Sequence, residues 1–288
     1  MRVRDALRAA VARLRAAGVE DPARDARVLM AHALGIAPPR LVGAIGEAMT
    51  GTQTAAFETA IAAREKRQPV AQITGERAFW GFPFRVTPDT LDPRPETEIL
   101  VAEALRMPFA RMLDLGTGSG CILIACLLET GAARGTGLDV SVAALAVAGE
   151  NAARLGVADR ADFVQRNWRD PEWSAGLGRF DVIVSNPPYI ALGEMAALSP
   201  EVRDWEPHLA LTPGGDGMDA YRAIACDVMS LLLPGGRILV ETGPTQGPAV
   251  AGLFAAAGLI SARILPDFDG RDRVVVAEAP GAGAGRGL

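Results

Sequence analysis

The sequence has little of what several classes of protein require. Its 288 residues include only three cysteines and two histidines, without the spacing of a disulfide framework or a metal site. No stretch approaches the roughly 18 uncharged apolar residues that a membrane helix needs. The first residues predict an amphipathic helix with several arginines, which differs from an apolar signal segment. We therefore expect a monomeric, metal-free protein of the cytoplasm with no membrane association.

Positive charge is also scarce in most of the chain. Residues 91–288 carry 16 Lys+Arg against 25 Asp+Glu, and no lysine follows Lys66. Such an acidic region argues against a surface that binds nucleic-acid phosphates. Residues 1–90 carry 13 Lys+Arg against 9 Asp+Glu. That excess is consistent with docking of a macromolecule and equally with a solvated helical surface.

The pattern of apolar residues divides the chain into parts. Helical patterns at residues 4–17, 22–34 and 52–67 predict a small bundle over residues 1–75. A β-hairpin is expected at residues 79–86, inside a linker over residues 76–94. The Gly- and Ala-rich end, residues 280–288, is expected to be disordered.

Residues 95–279 alternate short apolar strands with helices, which predicts an α/β fold with a doubly wound, mostly parallel sheet. One of the predicted helices covers residues 218–233 and is closed by Pro234-Gly235-Gly236. The last two predicted strands form an antiparallel pair. Ligands of such sheets bind beyond the carboxyl ends of the strands. Strands are expected at residues 111–115, 134–138, 162–165, 180–185, 237–241, 261–265 and 273–278.

A glycine-rich loop follows the first of these strands. Gly116-Thr117-Gly118-Ser119-Gly120 separates it from a predicted helix at Cys121–Glu129. Such a turn lets a ligand approach the backbone closely and presents free N–H groups to it. A dinucleotide fingerprint would need a third glycine where Cys121 stands. The pattern instead resembles the first motif of class I, Rossmann-like methyltransferases that use S-adenosyl-L-methionine.

An acidic residue ends the next strand. Asp139 is placed to accept the hydroxyls of a ribose, as in related nucleotide-binding folds. The alternative is a role at the start of the following helix, which Ser141 opens. Asn167 and Trp168 follow the third strand. All these residues, with the glycine loop, are expected at one edge of the sheet.

The fourth strand runs into Asn186-Pro187-Pro188-Tyr189. Prolines fix the backbone and have no N–H, so the carbonyl oxygens nearby remain free to accept hydrogen bonds. The Asn186 side chain adds a carbonyl acceptor, and Tyr189 adds a flat wall. We call residues 186–189 the cup. It suits a planar –NH2 group, because it offers two acceptors for the two hydrogens of that group. A strand that ends in a proline-rich turn is the alternative.

Together these segments resemble the HemK/PrmC family, the N5-glutamine methyltransferases of class 1 peptide chain release factors. The resemblance covers the chain apart from its tail. The glycine loop indicates only that the protein is a methyltransferase. The Asn-Pro-Pro-Tyr segment indicates that the methylated atom is an amide nitrogen or an exocyclic amino nitrogen. The protein-glutamine branch rests on Pro-Arg-Pro-Glu-Thr-Glu at residues 93–98 and on the helical N-terminal part. Further matching segments are residues 69–76, 79–81, 206–207, 214–217 and 241–247.

The resemblance implies a methyl transfer from S-adenosyl-L-methionine to the glutamine of a Gly-Gly-Gln motif. The glycine loop, Gly116, Thr117, Gly118, Ser119 and Gly120, would hold the amino-acid part of the cofactor, and Asp139 its ribose. Trp168 would cover the adenine, although a core aromatic is the alternative. Asn167 stands where the family more often has an acidic residue, but its carbonyl oxygen can still accept a hydrogen bond.

The resemblance also assigns the catalytic cup. The Asn186 side chain, which also borders the cofactor, and the Pro187 carbonyl would hold the two amide hydrogens of the glutamine. Pro188 and Tyr189 would complete the substrate site. Arg94, Glu96 and Glu98 are expected to support the structure rather than to catalyse, since Pro95 and the two acids suit a helix start.

Two other functions compete with this interpretation. An N6-adenine DNA or N2-guanine RNA methyltransferase also presents an –NH2 group to an Asn-Pro-Pro-Tyr cup, but it needs a basic surface and a way to extract the base. The second alternative is a protein without catalytic activity, which would keep the methyltransferase fold only to dock a translation factor. We expect no direct contact with nucleic acid and a release factor as the partner.

Overall fold

A computed structural model describes residues 1–282, which form two compact units. The first unit comprises Met1–Glu76 together with Ser199–Trp205. The second comprises Arg77–Leu198 and the described residues from Glu206 onward. Residues 283–288, most of the tail expected to be disordered, lie outside the described part. The boundaries expected at residues 75, 94 and 279 remain predictions.

Local sequence signals set the helix ends of the first unit. The Asp21 side chain accepts a hydrogen bond from the Arg24 N–H at 3.2 Å, and Pro22 occupies the first helical position. Gly35 ends the same helix in the left-handed conformation, with φ of 67°. The helices are α1 Val3–Ala16, α2 Pro22–Leu34, α3 Leu41–Ala44, α4 Gly51–Glu65 and α5 Val70–Thr74, with a 3-10 helix at Pro38–Arg40.

The apolar faces of α1, α2 and α4 form the core of the first unit. Leu14, Leu29 and Ile61 are fully buried there, and Phe57 is 1 % exposed. Burial of an amphipathic face is the main source of stability for helices of this length. The three expected helical segments therefore pack as a bundle.

A short segment from much later in the chain completes the first unit. The Glu201 carboxylate accepts hydrogen bonds from Arg64 Nη2 at 2.9 Å and from Arg67 Nε at 2.7 Å. The Trp205 carbonyl oxygen accepts a hydrogen bond from Gln72 Nε2 at 2.8 Å. These partners are separated by 133 to 137 positions. Such pairing leaves no local signal, so the sequence analysis did not anticipate it.

The second unit is built on a seven-stranded, mostly parallel sheet, as expected for a class I methyltransferase. The strand order is β5-β4-β3-β6-β7-β9-β8; β3 to β7 run parallel, and β9 runs antiparallel to both β7 and β8. A separate two-stranded sheet contains β1 and β2. The strands are β1 Glu76–Phe79, β2 Phe82–Arg85, β3 Arg111–Leu115, β4 Arg134–Asp139, β5 Ala161–Gln165, β6 Phe180–Ser185, β7 Leu232–Glu241, β8 Ile260–Pro266 and β9 Asp272–Glu278.

Helices cover both faces of this sheet and define two apolar clusters. The central strands are apolar and buried on both sides, as parallel strands require. In α7, residues 121–127 are all buried, so all of this helix except its last two residues lies within the core. The remaining helices are α6 Glu98–Ala104, α7 Cys121–Glu129, α8 Val142–Arg154, α9 Pro200–Arg203 (in the first unit), α10 His208–Leu211, α11 Asp219–Leu231 and α12 Gly247–Ala256, with 3-10 helices at Pro95–Thr97 and Leu192–Ala197.

One expected helix boundary was wrong. The pattern predicts a helix over residues 218–233, but α11 ends at Leu231 and β7 begins at Leu232. Leu232 is 1 % exposed and pairs with Phe180 of β6. The Pro-Gly-Gly sequence that was expected to close the helix forms an irregularity inside the strand, where the register shifts. Sheet pairing of a buried leucine therefore overrides the local helix pattern.

The buried Asn151 of α8 makes three hydrogen bonds that should contribute to stability. Its Oδ1 accepts from the Arg85 N–H at 2.8 Å, and its Nδ2 donates to the carbonyl oxygens of Arg85 at 3.0 Å and Ser119 at 2.9 Å. We predict that Asn151→Ala lowers the free energy of unfolding by roughly 3 kcal/mol, because buried polar groups lose their partners. Urea denaturation measures this change. The side chain of the half-buried Asn167 makes only hydrogen bonds that are exposed, so Asn167→Ala should cost less than about 1 kcal/mol, and an equal loss in both variants would contradict the prediction.

Candidate active site

A cavity of about 220 Å³ lies in the second unit at the carboxyl ends of parallel strands. Residues that follow four strands contribute to it, which is where doubly wound sheets bind ligands. These are residues 116–119 after β3, 139–141 after β4, 166–169 after β5, and Asn186 and Pro188 after β6. Other walls come from residues 89–91, 93–94 and 97, and from five residues between 207 and 213.

The loop after β3 is glycine-rich because its backbone turns sharply. Gly116, Gly118 and Gly120 have φ values of 72°, 55° and 79°, a region that glycine adopts without steric penalty. A Cβ atom at Gly118 would meet nothing within 4 Å, whereas one at Gly120 would lie 2.9 Å from Ile124 Cδ1. The loop thus packs closely against α7 and leaves its middle open to a ligand.

Asp139 holds this loop and also lines the cavity. Its Oδ2 accepts the Gly118 N–H and its Oδ1 accepts the Ser141 N–H, both at 2.9 Å. Burial raises the pKa of Asp139, and these two hydrogen bonds oppose the rise. The N-cap of α8 is Ser141, whose hydroxyl accepts from the Ala144 N–H at 3.1 Å. Each Asp139 oxygen has a further lone pair, so the carboxylate can still accept from a ligand.

A second carboxyl, Asp114, lies at the base of the loop. It is fully buried, and its Oδ2 accepts a hydrogen bond from the Thr117 hydroxyl at 2.7 Å. Within residues 1–282, no donor is in hydrogen-bonding geometry with Oδ1. Burial raises the pKa of Asp114 to about 7, and the Thr117 hydroxyl opposes that rise. The sequence analysis gave this residue no site role of its own.

Trp168 and Asn167 both line the cavity. A Cβ atom at Gly116 would lie 3.1 Å from Trp168 Cη2, so the absence of a side chain there makes room for the half-buried indole. Asn167 Oδ1 accepts the Arg169 N–H at 3.1 Å, and its Nδ2 donates to Asp170 Oδ1 at 3.2 Å. The Asn167 amide is therefore already engaged in a local turn. The adenine contacts assigned to both residues remain predictions.

Asn186 is the half-buried end of a short hydrogen-bonded chain. Its Nδ2 donates to Thr97 Oγ1 at 3.2 Å. The Thr97 hydroxyl in turn donates to Glu241 Oε2 at 2.6 Å. Thr97 is 2 % exposed and Glu241 is 1 % exposed. Within the described residues, Asn186 Oδ1 accepts no hydrogen bond, while Asn186 lines the cavity.

The surroundings of Glu241 combine burial with one nearby cation. Burial raises the pKa of Glu241 to about 7, and the Thr97 hydroxyl and the Arg273 charge oppose this rise. Arg273 Nη1 lies 3.9 Å from Glu241 Oε1, a contact too long for a hydrogen bond. Tyr221 binds the backbone instead, since its hydroxyl donates to the Glu241 carbonyl oxygen at 2.8 Å. Thr97 is thus the close side-chain donor to this carboxylate.

The rest of the Asn-Pro-Pro-Tyr segment is placed differently. Pro188 lines the cavity, whereas Pro187, Tyr189 and the loop residue Gly120 are not among the described residues that line it. Pro187 is a buried residue, and its carbonyl oxygen accepts no hydrogen bond from the described part of the chain. The Tyr189 carbonyl oxygen accepts from Gln246 Nε2 at 2.9 Å, and burial raises the pKa of the Tyr189 hydroxyl to about 12. The roles assigned to these residues remain predictions.

The residues around Pro95 are partly engaged in the site. Arg94 lines the cavity, and its Nη2 donates to both carboxylate oxygens of Glu206 at 2.6 and 2.7 Å. Burial raises the pKa of Glu206 to about 7, and Arg94 opposes this rise. Glu98 Oε1 accepts the Trp80 N–H at 2.8 Å, which ties α6 to the turn between β1 and β2. These contacts agree with a supporting role for this segment.

Sequence reasoning missed Thr97 and Glu241. Both stand in segments that carry the family resemblance, at residues 93–98 and 241–247, but neither was given a role. They are 144 positions apart, so their pairing has no local signature. An acid directly after the apolar run at residues 238–240, at the end of a predicted strand, was the signal that would have pointed to Glu241.

A metal-binding cluster and a membrane-spanning helix are both absent from the described residues. Residues 1–282 contain no group of three or more His, Cys, Asp or Glu side chains arranged to hold a metal ion. Over the same residues, no helix has the length and apolar character required to cross a bilayer.

Known proteins match the chain along nearly its whole length. The PrmC N-terminal domain model matches residues 5–75, and the methyltransferase small domain model matches residues 89–200. The release factor glutamine methyltransferase of Cereibacter sphaeroides is 60% identical over 282 residues, which cover 98% of this chain and 100% of that protein. The chain belongs to the release factor glutamine methyltransferase family. This result confirms the family that the motifs resembled.

Further relatives agree with this membership. The release factor glutamine methyltransferase of Rhodospirillum rubrum is 45% identical, over 94% of this chain and 83% of that protein. A methyltransferase structure from Pyrococcus furiosus aligns with a TM-score of 0.52 at 18% identity, over 77% of this chain and 98% of that chain. That similarity supports the fold alone. The expected α/β class I fold is confirmed, and the chain is an S-adenosylmethionine-dependent methyltransferase.

The residues at the cavity fit this cofactor. The open backbone at Gly118 leaves room for close approach, and the Asp139 carboxylate retains acceptor capacity for hydroxyl groups. The Trp168 indole offers a flat apolar face. When bound, S-adenosylmethionine supplies a methyl group activated on a sulfonium. Which residues contact each part of it remains a prediction.

Three of the buried carboxyls have pKa values raised to about 7, and they lead to a prediction about stability and pH. The pKa values of Asp114, Glu206 and Glu241 are each raised to about 7, whereas in the unfolded chain such groups titrate near 4. Between these values the native state binds more protons than the unfolded state, so the free energy of unfolding should increase as pH falls from 8 to 6. The increase should be smaller in Asp114→Asn. Urea denaturation at several pH values tests this, and a decrease over that range would contradict it.

Proposed function

We propose that this enzyme transfers a methyl group from S-adenosylmethionine to the side-chain amide nitrogen, N5, of the glutamine in the Gly-Gly-Gln motif of class 1 peptide chain release factors. The observation that carries the proposal is the 60% identity to a release factor glutamine methyltransferase over 98% of the chain. The acceptor oxygen of Asn186 at the cavity supports it, because an amide substrate presents two N–H donors.

An amide nitrogen is a poor nucleophile, since its lone pair is delocalised into the carbonyl group. The proposed task of the cup is to hold both amide hydrogens, one on Asn186 Oδ1 and one on the Pro187 carbonyl oxygen. Both oxygens lack a donor within the described residues. Two such hydrogen bonds would shift electron density toward the nitrogen and fix its direction of attack. Positioning and fixed dipoles then contribute most of the rate.

The remaining steps need no further catalytic group. The methylated nitrogen becomes acidic and releases its proton to water, so no side-chain base is required. We propose that Tyr189 packs against the incoming glutamine and that Pro188, at the cavity wall, limits its movement. The glycine loop, Asp139 and Trp168 would hold the cofactor beside this cup.

We also propose that the helical unit docks the release factor. The match of residues 5–75 to the PrmC N-terminal domain supports a separate role for this unit. Its first helix presents the exposed side chains of Arg4, Arg8 and Arg15, which suits an acidic protein surface. We propose that the enzyme acts as a monomer in the cytoplasm, without direct contact with nucleic acid or membrane.

A nucleic-acid substrate is a weaker candidate. The 16 Lys+Arg against 25 Asp+Glu in residues 91–288 give the catalytic part a net negative charge. A duplex or structured RNA would be repelled by such a surface. The names of the relatives also specify glutamine methylation. No observation on the structure favours the adenine or guanine alternative.

The first test is methylation of a purified release factor with labelled S-adenosylmethionine, followed by peptide mapping. We predict label on the glutamine of Gly-Gly-Gln, and label on nucleic acid instead would contradict the proposal.

Asn186→Ala should lower kcat by roughly 10²-fold or more, because one preorganised acceptor is lost. Its affinity for the cofactor should remain within about twofold. If kcat of the Asn186→Ala variant were unchanged, the cup at residues 186–189 would have no part in the reaction.

Asp139→Ala tests the cofactor side of the site. Loss of a carboxylate that holds the Gly118 N–H should weaken cofactor binding by roughly tenfold or more, as expected for charge-assisted hydrogen bonds. Isothermal calorimetry with S-adenosylmethionine measures the change. Asp162→Ala, an exposed aspartate of β5 outside the cavity, is the matched control and should bind normally. A defect that appears only in turnover at saturating cofactor would contradict the assignment.

A further inference from the structure

The proposed mechanism depends on which end of the Asn186 amide faces the substrate. An asparagine side chain has a carbonyl acceptor at one end and an –NH2 donor at the other, and the two have nearly the same shape. With the carbonyl oxygen toward the substrate, a glutamine –NH2 group finds an acceptor. With the –NH2 group toward the substrate, two donors oppose each other and no hydrogen bond forms. The orientation of this amide is therefore a requirement of the reaction.

The hydrogen-bonded chain behind Asn186 has a fixed direction. Above its raised pKa, Glu241 is an ionised carboxylate that only accepts hydrogen bonds, so the Thr97 hydroxyl then donates its single hydrogen to Glu241 Oε2, at 2.6 Å. The Thr97 oxygen then has no hydrogen left to donate, so it can only accept a hydrogen bond from its other neighbour, Asn186. Asn186 must therefore present its –NH2 group, and Nδ2 lies 3.2 Å from Thr97 Oγ1. Its carbonyl oxygen points away from Thr97 as a result.

We propose that Thr97 and Glu241 are positioning residues that hold Asn186 with its carbonyl oxygen directed at the substrate amide. This inference deepens the proposed function and rests on it. Neither residue needs to touch the glutamine, since each acts through the next member of the chain. Glu241 sets the direction, and Thr97 transmits it to Asn186.

The burial of the chain supports this role. Thr97 and Glu241 are 2 % and 1 % exposed, so water has little access to replace their hydrogen bonds. A buried carboxylate is costly unless it is paired or hydrogen-bonded. Its cation neighbour Arg273 lies 3.9 Å away and also binds Asp267 Oδ2 at 3.1 Å.

Removal of the Thr97 hydroxyl should reverse the preferred orientation. In Thr97→Val, an –NH2 group directed at position 97 would face a methyl group and lose its acceptor. An Asn186 side chain turned over would instead place that group toward the cavity, where water can satisfy it. In the turned form the carbonyl oxygen faces position 97, and an unpartnered carbonyl oxygen costs less there than an unpartnered N–H group, so the turned form is favoured. Substrate binding would then have to reverse it.

The experiment measures methylation of a purified release factor by the full-length enzyme, with cofactor affinity measured by calorimetry. We predict that Thr97→Val lowers kcat roughly tenfold or more, with the Kd for S-adenosylmethionine within about twofold of the wild type. Thr97→Ser, which restores a hydroxyl, should recover turnover to within about threefold of the wild type. The matched control is Thr242→Val. Thr242 is fully buried and adjacent to Glu241, and its hydroxyl has no partner in the described residues, so turnover should not change.

A double-mutant cycle separates positioning from a general packing defect. When position 186 is already alanine, there is no amide to orient, so Thr97→Val should add no further loss of kcat. A full additional loss in the Asn186→Ala background would overturn the proposal. So would wild-type turnover in Thr97→Val.

A second variant covers the possibility that Thr97→Val folds poorly because it leaves a buried carboxylate without its donor. Thr97→Val combined with Glu241→Gln leaves no unpaired charge and still cannot orient Asn186. We predict the same loss of kcat in this folded double variant, and normal turnover would overturn the proposal. If the wild-type enzyme itself does not label the release factor, the proposed function fails and this inference with it. An active wild type with unaffected variants refutes the positioning role alone.

Discussion

In the proposed mechanism, a single hydrogen bond from Thr97 to the buried Glu241 carboxylate determines which chemical group Asn186 can recognise. When Glu241 is ionised it only accepts, so Thr97 donates to it at 2.6 Å and Asn186 donates to Thr97. The amide that borders the cavity is thereby made an acceptor. Without that constraint the Asn-Pro-Pro-Tyr cup would offer a donor and an acceptor with similar ease. The account of glutamine recognition rests on this direction.

The sheet brings the members of the site together from distant parts of the sequence. Parallel strands β3 to β6 end at one edge, so the glycine loop, Asp139, Trp168 and Asn186 meet there. On the proposed cofactor side, the Asp139 carboxylate accepts the Gly118 N–H and so holds the glycine loop. On the proposed substrate side, Thr97 and Glu241 continue the hydrogen-bonded chain from Asn186. Each side thus relies on a carboxylate in a buried or half-buried setting.

Most of this architecture was predictable because it depends on local patterns. The apolar strands, the failed dinucleotide spacing at Cys121 and the Asn-Pro-Pro-Tyr segment predict a class I methyltransferase for an –NH2 substrate. Two kinds of feature were not predictable. The end of α11 is set by pairing of Leu232 with Phe180, which overrides a local helix pattern. The attachment of residues 199–205 to the first unit depends on Glu201 and arginines more than 130 positions away.

The candidate site shows the same limit. Sequence reasoning reached Asn186 because proline neighbours and a strand end mark it, but it did not reach Thr97 or Glu241. Their contact spans 144 positions and requires the coordinates. The roles of Pro187 and Tyr189 likewise cannot be read from the cavity, which neither residue lines in the described structure.

The most direct measurement is a crystal structure of the enzyme with S-adenosylhomocysteine and a Gly-Gly-Gln peptide, at a resolution that fixes the hydrogen-bond network. The account predicts Asn186 Oδ1 within hydrogen-bond distance of the glutamine nitrogen, about 3 Å, while Nδ2 remains on the Thr97 hydroxyl. A glutamine nitrogen bound elsewhere, or an Asn186 amide turned so that Nδ2 faces the substrate, would contradict it.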